Sequence, residues 1–186
     1  MTDPQSEQVT DKITEQMVRR LADLQEIRDL SSTYMRGQDR LDPEAHRSVF
    51  WDDAWCSYGI YEGGPDGFVA FAQDALRPHG ANHHMIGQVQ IELDGDEAFG
   101  EVYYQAFHRL SNDAGEARDL FISGRYVDRY ERRNGVWKMA YRCELVDWVR
   151  DLPAADASFR DSKMILGARK PEDALYDREA MRRRSR

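Results

Sequence analysis

The sequence predicts an α+β domain in which helices come first and a long antiparallel sheet follows. Two observations carry this. Up to about residue 76, apolar side chains recur every three or four positions, the period of helices packed on one side. From residue 82 onward, strand-like stretches of ten to fifteen residues alternate with breaks of hairpin chemistry. Helices followed by an uninterrupted run of strands are the signature of an α+β fold, and 186 residues suit one domain with a sizeable core.

After a flexible stretch over residues 1–10, Ile13, Met17, Leu21, Leu24, Ile27, Leu30 and Tyr34 form one stripe of a long amphipathic helix. Gly37 is its natural C-terminal stop. "LDPEAHRSVFW" restarts a helix, with Asp42 as N-cap and Pro43 in the first turn. "AWCSYGIY" reads as a strand closed by the turn "EGGPDG", and "GFVAFAQDAL" as a third helix stopped at "RPHG". Strands follow at about 82–93, 97–110, 118–132 and 136–149, separated by "DGD", "SNDAGEA" and "RRNG". The domain therefore spans 11–150. Residues 151–186 lack periodicity and are expected to be an extended or subunit-contacting tail.

The net charge of −8 argues against nucleic acid as a partner. The cluster Arg178, Arg182, Arg183, Arg184 and Arg186 reads as a solvated end of the chain. Cys56 and Cys143 form neither a CxxC pair nor a disulfide framework. The start of the chain lacks the apolar segment of a signal peptide, and no run approaches the ~20 apolar residues of a membrane span. A soluble, cytoplasmic protein is expected, without membrane partners.

Candidate chemistry centres on "NHHMIGQ". Successive side chains of a strand face opposite ways, so only one of His83 and His84 can face a pocket unless a bulge intervenes. The same geometry weakens His79, His83 and His84 as a metal cluster, and no metal is expected. A catalytic histidine needs an orienting partner. Asp39, just beyond the first helix, is either that partner or a turn residue bonding nearby amides. Tyr34 and Tyr58 can be core aromatics or hydroxyl donors. His108 shares a face with Tyr104 and Ala106, and Arg142 with Ala140 and Glu144. Trp55 and Tyr104 belong to an aromatic supply suited to a flat ligand. No GxSxG, phosphate-binding glycine loop or HExxH is present.

The segments "IRDLSSTYMRGQDRLD", "FWDDAWCSYGIYEGGPDG", "HHMIGQ" and "GRYVDRYERRNGVWKMAYR" together resemble the SnoaL-like branch of the NTF2-like superfamily over roughly residues 20–150. The resemblance implies a cystatin-like cone, with three helices packed in a curled mixed or antiparallel sheet. Within it, the chain looks most like the lyase group of scytalone dehydratase, bile-acid 7-dehydratase and hexachlorocyclohexane dehydrochlorinase. By that resemblance, Asp39 and His84 are the aspartate and histidine of a catalytic dyad. Tyr34 and Tyr58 are donors to a substrate carbonyl, and Arg142 is a pocket arginine. Ala106 stands where the bile-acid enzyme carries a strand carboxylate, with His108 two residues further on. The dehydrochlorinase lacks the helix tyrosine, so Tyr34 points toward oxygenated substrates.

The implied activity is that of a cofactor-independent lyase, a dehydratase removing water from a hydroxylated, carbonyl-bearing polycyclic or steroid-like substrate. His84, Asp39, Tyr34 and Tyr58 are its catalytic residues, and His108, Arg142, Trp55 and Tyr104 line the site. No cofactor is expected; the partners are a small hydrophobic substrate and further copies of the chain in a homotrimer. The alternatives are an isomerase of the ketosteroid type, or a non-catalytic scaffold resembling the β subunit of ring-hydroxylating dioxygenases.

Overall fold

The computed structural model describes residues 4–156 and 163–184. Residues 1–3, 157–162 and 185–186, which belong to the expected N-terminal and C-terminal stretches, lie outside the described residues. Helix α1 (Pro4–Asp39) leads into α2 (Pro43–Ser48), β1 (Phe50–Ser57), the short β2 (Glu62–Gly63) and α3 (Pro65–Leu76). Four long strands follow: β3 (Ala81–Asp94), β4 (Glu97–Ser111), β5 (Ala117–Arg133) and β6 (Val136–Pro153). A 3-10 turn (Ala174–Tyr176) and a helix α4 (Arg178–Arg184) complete the described chain. All six strands form one curled mixed sheet in the order β2-β1-β6-β5-β4-β3, antiparallel except for the β1–β6 pair.

Local chemistry explains most of the boundaries. Asp42 caps α2 by accepting from the Ala45 amide at 3.2 Å, with Pro43 in the first turn. Asn134 and Gly135 both take positive φ (52° and 80°), the combination a tight two-residue hairpin requires between β5 and β6. Between β3 and β4 the same job falls to Gly95 at φ 63°. In α3, Phe68, Val69, Ala72, Gln73 and Leu76 are buried, the helical stripe expected of that segment.

Three details differ from expectation. The apolar stripe of α1 is buried only in its second half: Ile27 and Tyr34 are fully buried, but Ile13, Met17 and Leu21 are more than half exposed. A helix of 36 residues is roughly 54 Å long, more than a domain of this size can cover. The helix also runs two residues past Gly37. That glycine is required by packing rather than as a stop, because a Cβ there would lie 2.6 Å from the His46 amide nitrogen. The left-handed residue of the α1–α2 turn is Leu41, at φ 49°. Finally, α2 ends at Ser48, and Phe50 and Trp51 open β1 instead of extending the helix.

The core lies between the helices and the concave face of the sheet, built on Tyr34, Phe50, Phe68, Val102, Tyr126 and Tyr130. Segment 163–184 folds back onto the α1–α2 turn. The Lys170 amide donates to the Arg40 carbonyl at 2.8 Å, and the Lys170 ammonium and the Tyr176 hydroxyl both reach Asp42. No helix among the described residues is long and apolar enough to cross a membrane.

Candidate active site

Alternation along β3 separates the two neighbouring histidines. Asn82 is buried and His84 points inward, while His83 is exposed on the opposite face. Strand pairing sets His84 opposite Ala106, and Asn82 opposite His108, so the four share one face of the sheet. The last residue of α1 meets that face. Oδ1 of Asp39 lies 2.6 Å from Nδ1 of His84, and Oδ2 accepts the His84 backbone amide at 3.0 Å. Both side chains are nearly buried, with 6% of His84 and 11% of Asp39 exposed.

Burial pushes the Asp39 carboxyl upward. The hydrogen bond from the His84 ring, the charge that ring can carry and the His84 amide outweigh it, holding Asp39 below the usual carboxylate range. An ionised carboxylate only accepts, so Nδ1 of His84 carries the proton and Nε2 is left as the basic nitrogen.

A second cluster sits beneath α1. The Tyr34 and Tyr58 hydroxyls are 2.7 Å apart, and Gln38 donates to Tyr34 at 3.1 Å. Burial raises both phenols, so each is a neutral O–H donor. Tyr104 stacks on Tyr126 with ring centroids 4.6 Å apart, and its buried hydroxyl faces the Glu144 carboxyl. Arg142 is fully buried. Its Nε and Nη2 bond the Asp128 carboxylate at 2.8 and 2.7 Å, its guanidinium lies over the rings of Tyr34 and Tyr126, and Nη1 alone is left unpartnered. His108 is buried, its ring 5.2 Å from that of His84 and set edge-on to it.

Trp55 departs from the expected site. Its neighbour Cys56 is fully buried and pairs with Arg142 on the concave side, which places Trp55 on the outer face. There it is 49% exposed and donates to Glu62. It is not a pocket residue.

Three polar residues of this region carry no motif. Glu144 shares the inward face of β6 with Arg142 and pairs with Tyr126 across β5. Burial raises its carboxyl above the ordinary range, and the Tyr104 hydroxyl and the charges of His84 and Arg142 offset this only in part. His46 is fully buried and burial drives it down to about 3, with the charges of Arg142 and His84 adding to the effect. Asn82 sits between His79 and His108. Even spacing on one strand was the available signal both for Glu144, beside Arg142, and for Asn82, beside His84; His46 had none. Among the described residues, no group of three His, Cys, Asp or Glu is arranged to hold a metal ion.

Cavities flank the Asp39–His84 pair. One of about 330 Å³ is lined by Met35, Arg36, Asp39, Arg40, His84 and Ile86 among others. Another, of about 310 Å³, lies between segment 166–169 and the sheet and includes Asp39, Asn82 and Arg169. A larger one, about 890 Å³, runs along the exposed half of α1, away from the pair.

A family described as a SnoaL-like domain matches residues 19–143. Hexachlorocyclohexane dehydrochlorinase 1 of Sphingobium indicum is 32% identical over 128 residues, covering 65% of this chain and 79% of that protein. The crystal structure of a type 2 hexachlorocyclohexane dehydrochlorinase (LinA) superposes with a TM-score of 0.68 at 27% identity, over 74% of this chain and 94% of that one. A candidate scytalone dehydratase from Novosphingobium aromaticivorans shares the fold, with a TM-score of 0.63 at 20% identity over 73% and 91% of the two chains.

Proposed function

The chain belongs to the SnoaL-like domain family, and from that premise we propose that it is a cofactor-independent lyase that removes water from a hydroxylated, carbonyl-bearing polycyclic or steroid-like substrate. The observation that carries this reading is the double hold of Asp39 on His84, which leaves Nε2 as the one basic nitrogen of the ring. Nε2 takes a proton from the carbon next to, or conjugated with, the carbonyl. Asp39 stabilises the imidazolium that results. The C–H electron pair becomes the new double bond as the C–O bond breaks, and the departing hydroxyl leaves as water with the proton returned by His84.

Tyr34 and Tyr58, neutral donors already bonded to each other, hold the carbonyl as enolate charge develops. A preorganised donor of this kind contributes about 3 kcal/mol. Tyr104 and His108, on the same concave face, are placed to contact the remainder of the substrate. The dehydrochlorinases named above are relatives that carry out an elimination, which favours this reading over a scaffold. The hydroxyl pair favours an oxygenated substrate over a halogenated one.

The outer face of the sheet supports assembly. Phe99, Tyr103, Phe121 and Trp148 are each exposed there by a third or more, apolar side chains that another copy of the chain can cover. We assign it to contacts between copies in a homotrimer.

The test is a panel of hydroxylated keto-steroids and polycyclic phenols, read by mass spectrometry for loss of 18 mass units. Water loss that disappears in His84→Ala supports the reading. Products of unchanged mass identify an isomerase instead, and turnover that survives His84→Ala removes the dyad from the mechanism.

A further inference from the structure

We propose that Arg169, on the segment that follows the sheet, is a positioning residue: it orients the Asn82 amide, and Asn82 in turn fixes the tautomer of His108 beside His84. The functional part of this inference rests on the lyase reading above; the positional part does not. Arg169 lies beyond the family match, which ends at residue 143, on the C-terminal segment that folds back onto the α1–α2 turn.

The guanidinium of Arg169 reaches three elements at once. Nη1 donates to the main-chain carbonyl of Asp39, the last residue of α1, and Nη2 to the carbonyl of His79 at 3.4 Å. A cation at the carbonyl end of a helix is favourable in itself. Its third contact is the side chain of Asn82. With the amide oxygen of Asn82 turned toward Arg169, that oxygen accepts from Nη2 at 2.8 Å and Nη1 at 3.1 Å. The amide nitrogen then faces acceptors only: the Ala81 carbonyl at 2.8 Å, and Nδ1 of both His79 and His108 at 3.0 Å.

The logic is set by donor inventory. Arginine has donors and no acceptor, so it demands the oxygen of Asn82. The Ala81 carbonyl only accepts, so it demands the nitrogen. Asn82 therefore has one orientation in which its oxygen meets only donors; of its two N–H hydrogens one serves the Ala81 carbonyl, and we assign the other to Nδ1 of the buried His108 in preference to the less buried His79. In that orientation it donates to Nδ1 of His108, and a neutral imidazole that accepts at Nδ1 carries its hydrogen on Nε2. His108 is neutral at physiological pH because burial, with the charges of His84 and His79, drives it down to about 3. Without Arg169 only the Ala81 carbonyl holds the amide in that orientation, so a fraction of molecules turn the Asn82 oxygen to Nδ1 and present the opposite tautomer. Lys170 keeps the arginine in register through its amide bond to Arg40 and its side-chain bond to Asp42.

The experiment is nitrogen NMR of the full-length protein with labelled histidine at neutral pH, which reads the protonation of each ring nitrogen without any substrate. His108 is expected to carry its hydrogen on Nε2 in the wild type, and to show mixed tautomers in Arg169→Met. In Asn82→Asp, which keeps an oxygen for Arg169 but can only accept, it is expected to switch to Nδ1–H. If Arg169→Met does not fold, the Asn82→Asp switch carries the test alone. For turnover, Arg169→Met should lower kcat roughly tenfold, a fraction of the 10²–10⁴ that a placed acid–base group contributes, with KM little changed and partial rescue in Arg169→Lys. A wild-type His108 protonated on Nδ1, or an unchanged tautomer in both variants, overturns the proposal. A tautomer shift with unaltered kcat overturns its functional part. A tautomer shift in a protein that dehydrates nothing supports the placement and sinks only the lyase reading.

Discussion

Asp39 holds His84 twice, its Oδ1 on the ring at 2.6 Å and its Oδ2 on the backbone amide at 3.0 Å, so one carboxylate fixes both the tautomer of the imidazole and its place on β3. This bond joins the end of the first helix to the start of the sheet. It makes Asp39→Asn a sharp test, because the amide can turn its NH₂ toward Nδ1 and move the ring proton to Nε2. We expect kcat to fall by about 10²–10⁴ in Asp39→Asn with the circular dichroism spectrum unchanged. Turnover within a factor of a few of wild type would show that the carboxylate does not serve the base.

Because the Tyr34 and Tyr58 hydroxyls share a hydrogen bond, their removal should not be additive. Each Tyr→Phe variant is expected to lose about two orders of magnitude in kcat, the worth of one placed donor. The double variant should lose clearly less than the product of the two. Steady-state kinetics of the three variants decides it; full additivity would mean that the hydroxyls act independently.

Glu144 offers a pH test with a defined sign. Its carboxyl is raised in the folded chain, chiefly by burial, so between the ordinary carboxylate pKa and the raised value the native state binds more protons than the unfolded one. Stability therefore falls as pH rises through that window. Glu144→Gln removes this loss. The variant should gain on wild type in urea unfolding as pH is raised above about 4.5, and lose that advantage below it. A variant less stable than wild type at neutral pH would contradict the burial argument.

Two buried histidines act in the opposite sense. His46 and His108 are held down to about 3, first by burial. Unfolded histidine titrates near 6.5, so between about 6.5 and 3 the unfolded chain takes up protons that the folded chain refuses. Stability is whole above that window and falls with pH inside it, by about 1.4 kcal/mol per pH unit for each histidine. Urea titrations between pH 7 and 4 should show the slope, and His46→Gln should remove one histidine's share.

The proposed homotrimer is tested through the outer-face aromatics. Light scattering should give the mass of three chains, and Phe121→Arg should reduce it while leaving the fold intact. A wild-type monomer would assign the surface another role.

Much of this was legible in one dimension. The Asn134–Gly135 and Gly95 turns set the hairpins, because few residues accept positive φ, and the strands between them follow within a few residues of the expected limits. Strict alternation also separates His83 from His84. Aromatic character, not alternation, suggested a pocket role for Trp55; alternation in β1 sets it on the face opposite the buried Ala54 and Cys56. Alternation says nothing of what a face looks onto. Glu144 reads as an ordinary strand carboxylate until the sheet curls over it, and Gly124 permits that path, since a Cβ there would lie 2.0 Å from the Leu145 carbonyl oxygen.

The sequence by itself determined the succession of helices and strands, the hairpin turns and the face on which each regular strand residue lies, because these follow from local backbone sterics and a period of two or 3.6 residues. Only the tertiary structure decided which polar groups meet. Asp39 and His84 are separated by 45 residues, and Asn82 and Arg169 by 87. Such contacts depend on how the sheet curls and where a trailing segment returns, and no periodicity encodes a distance across the chain.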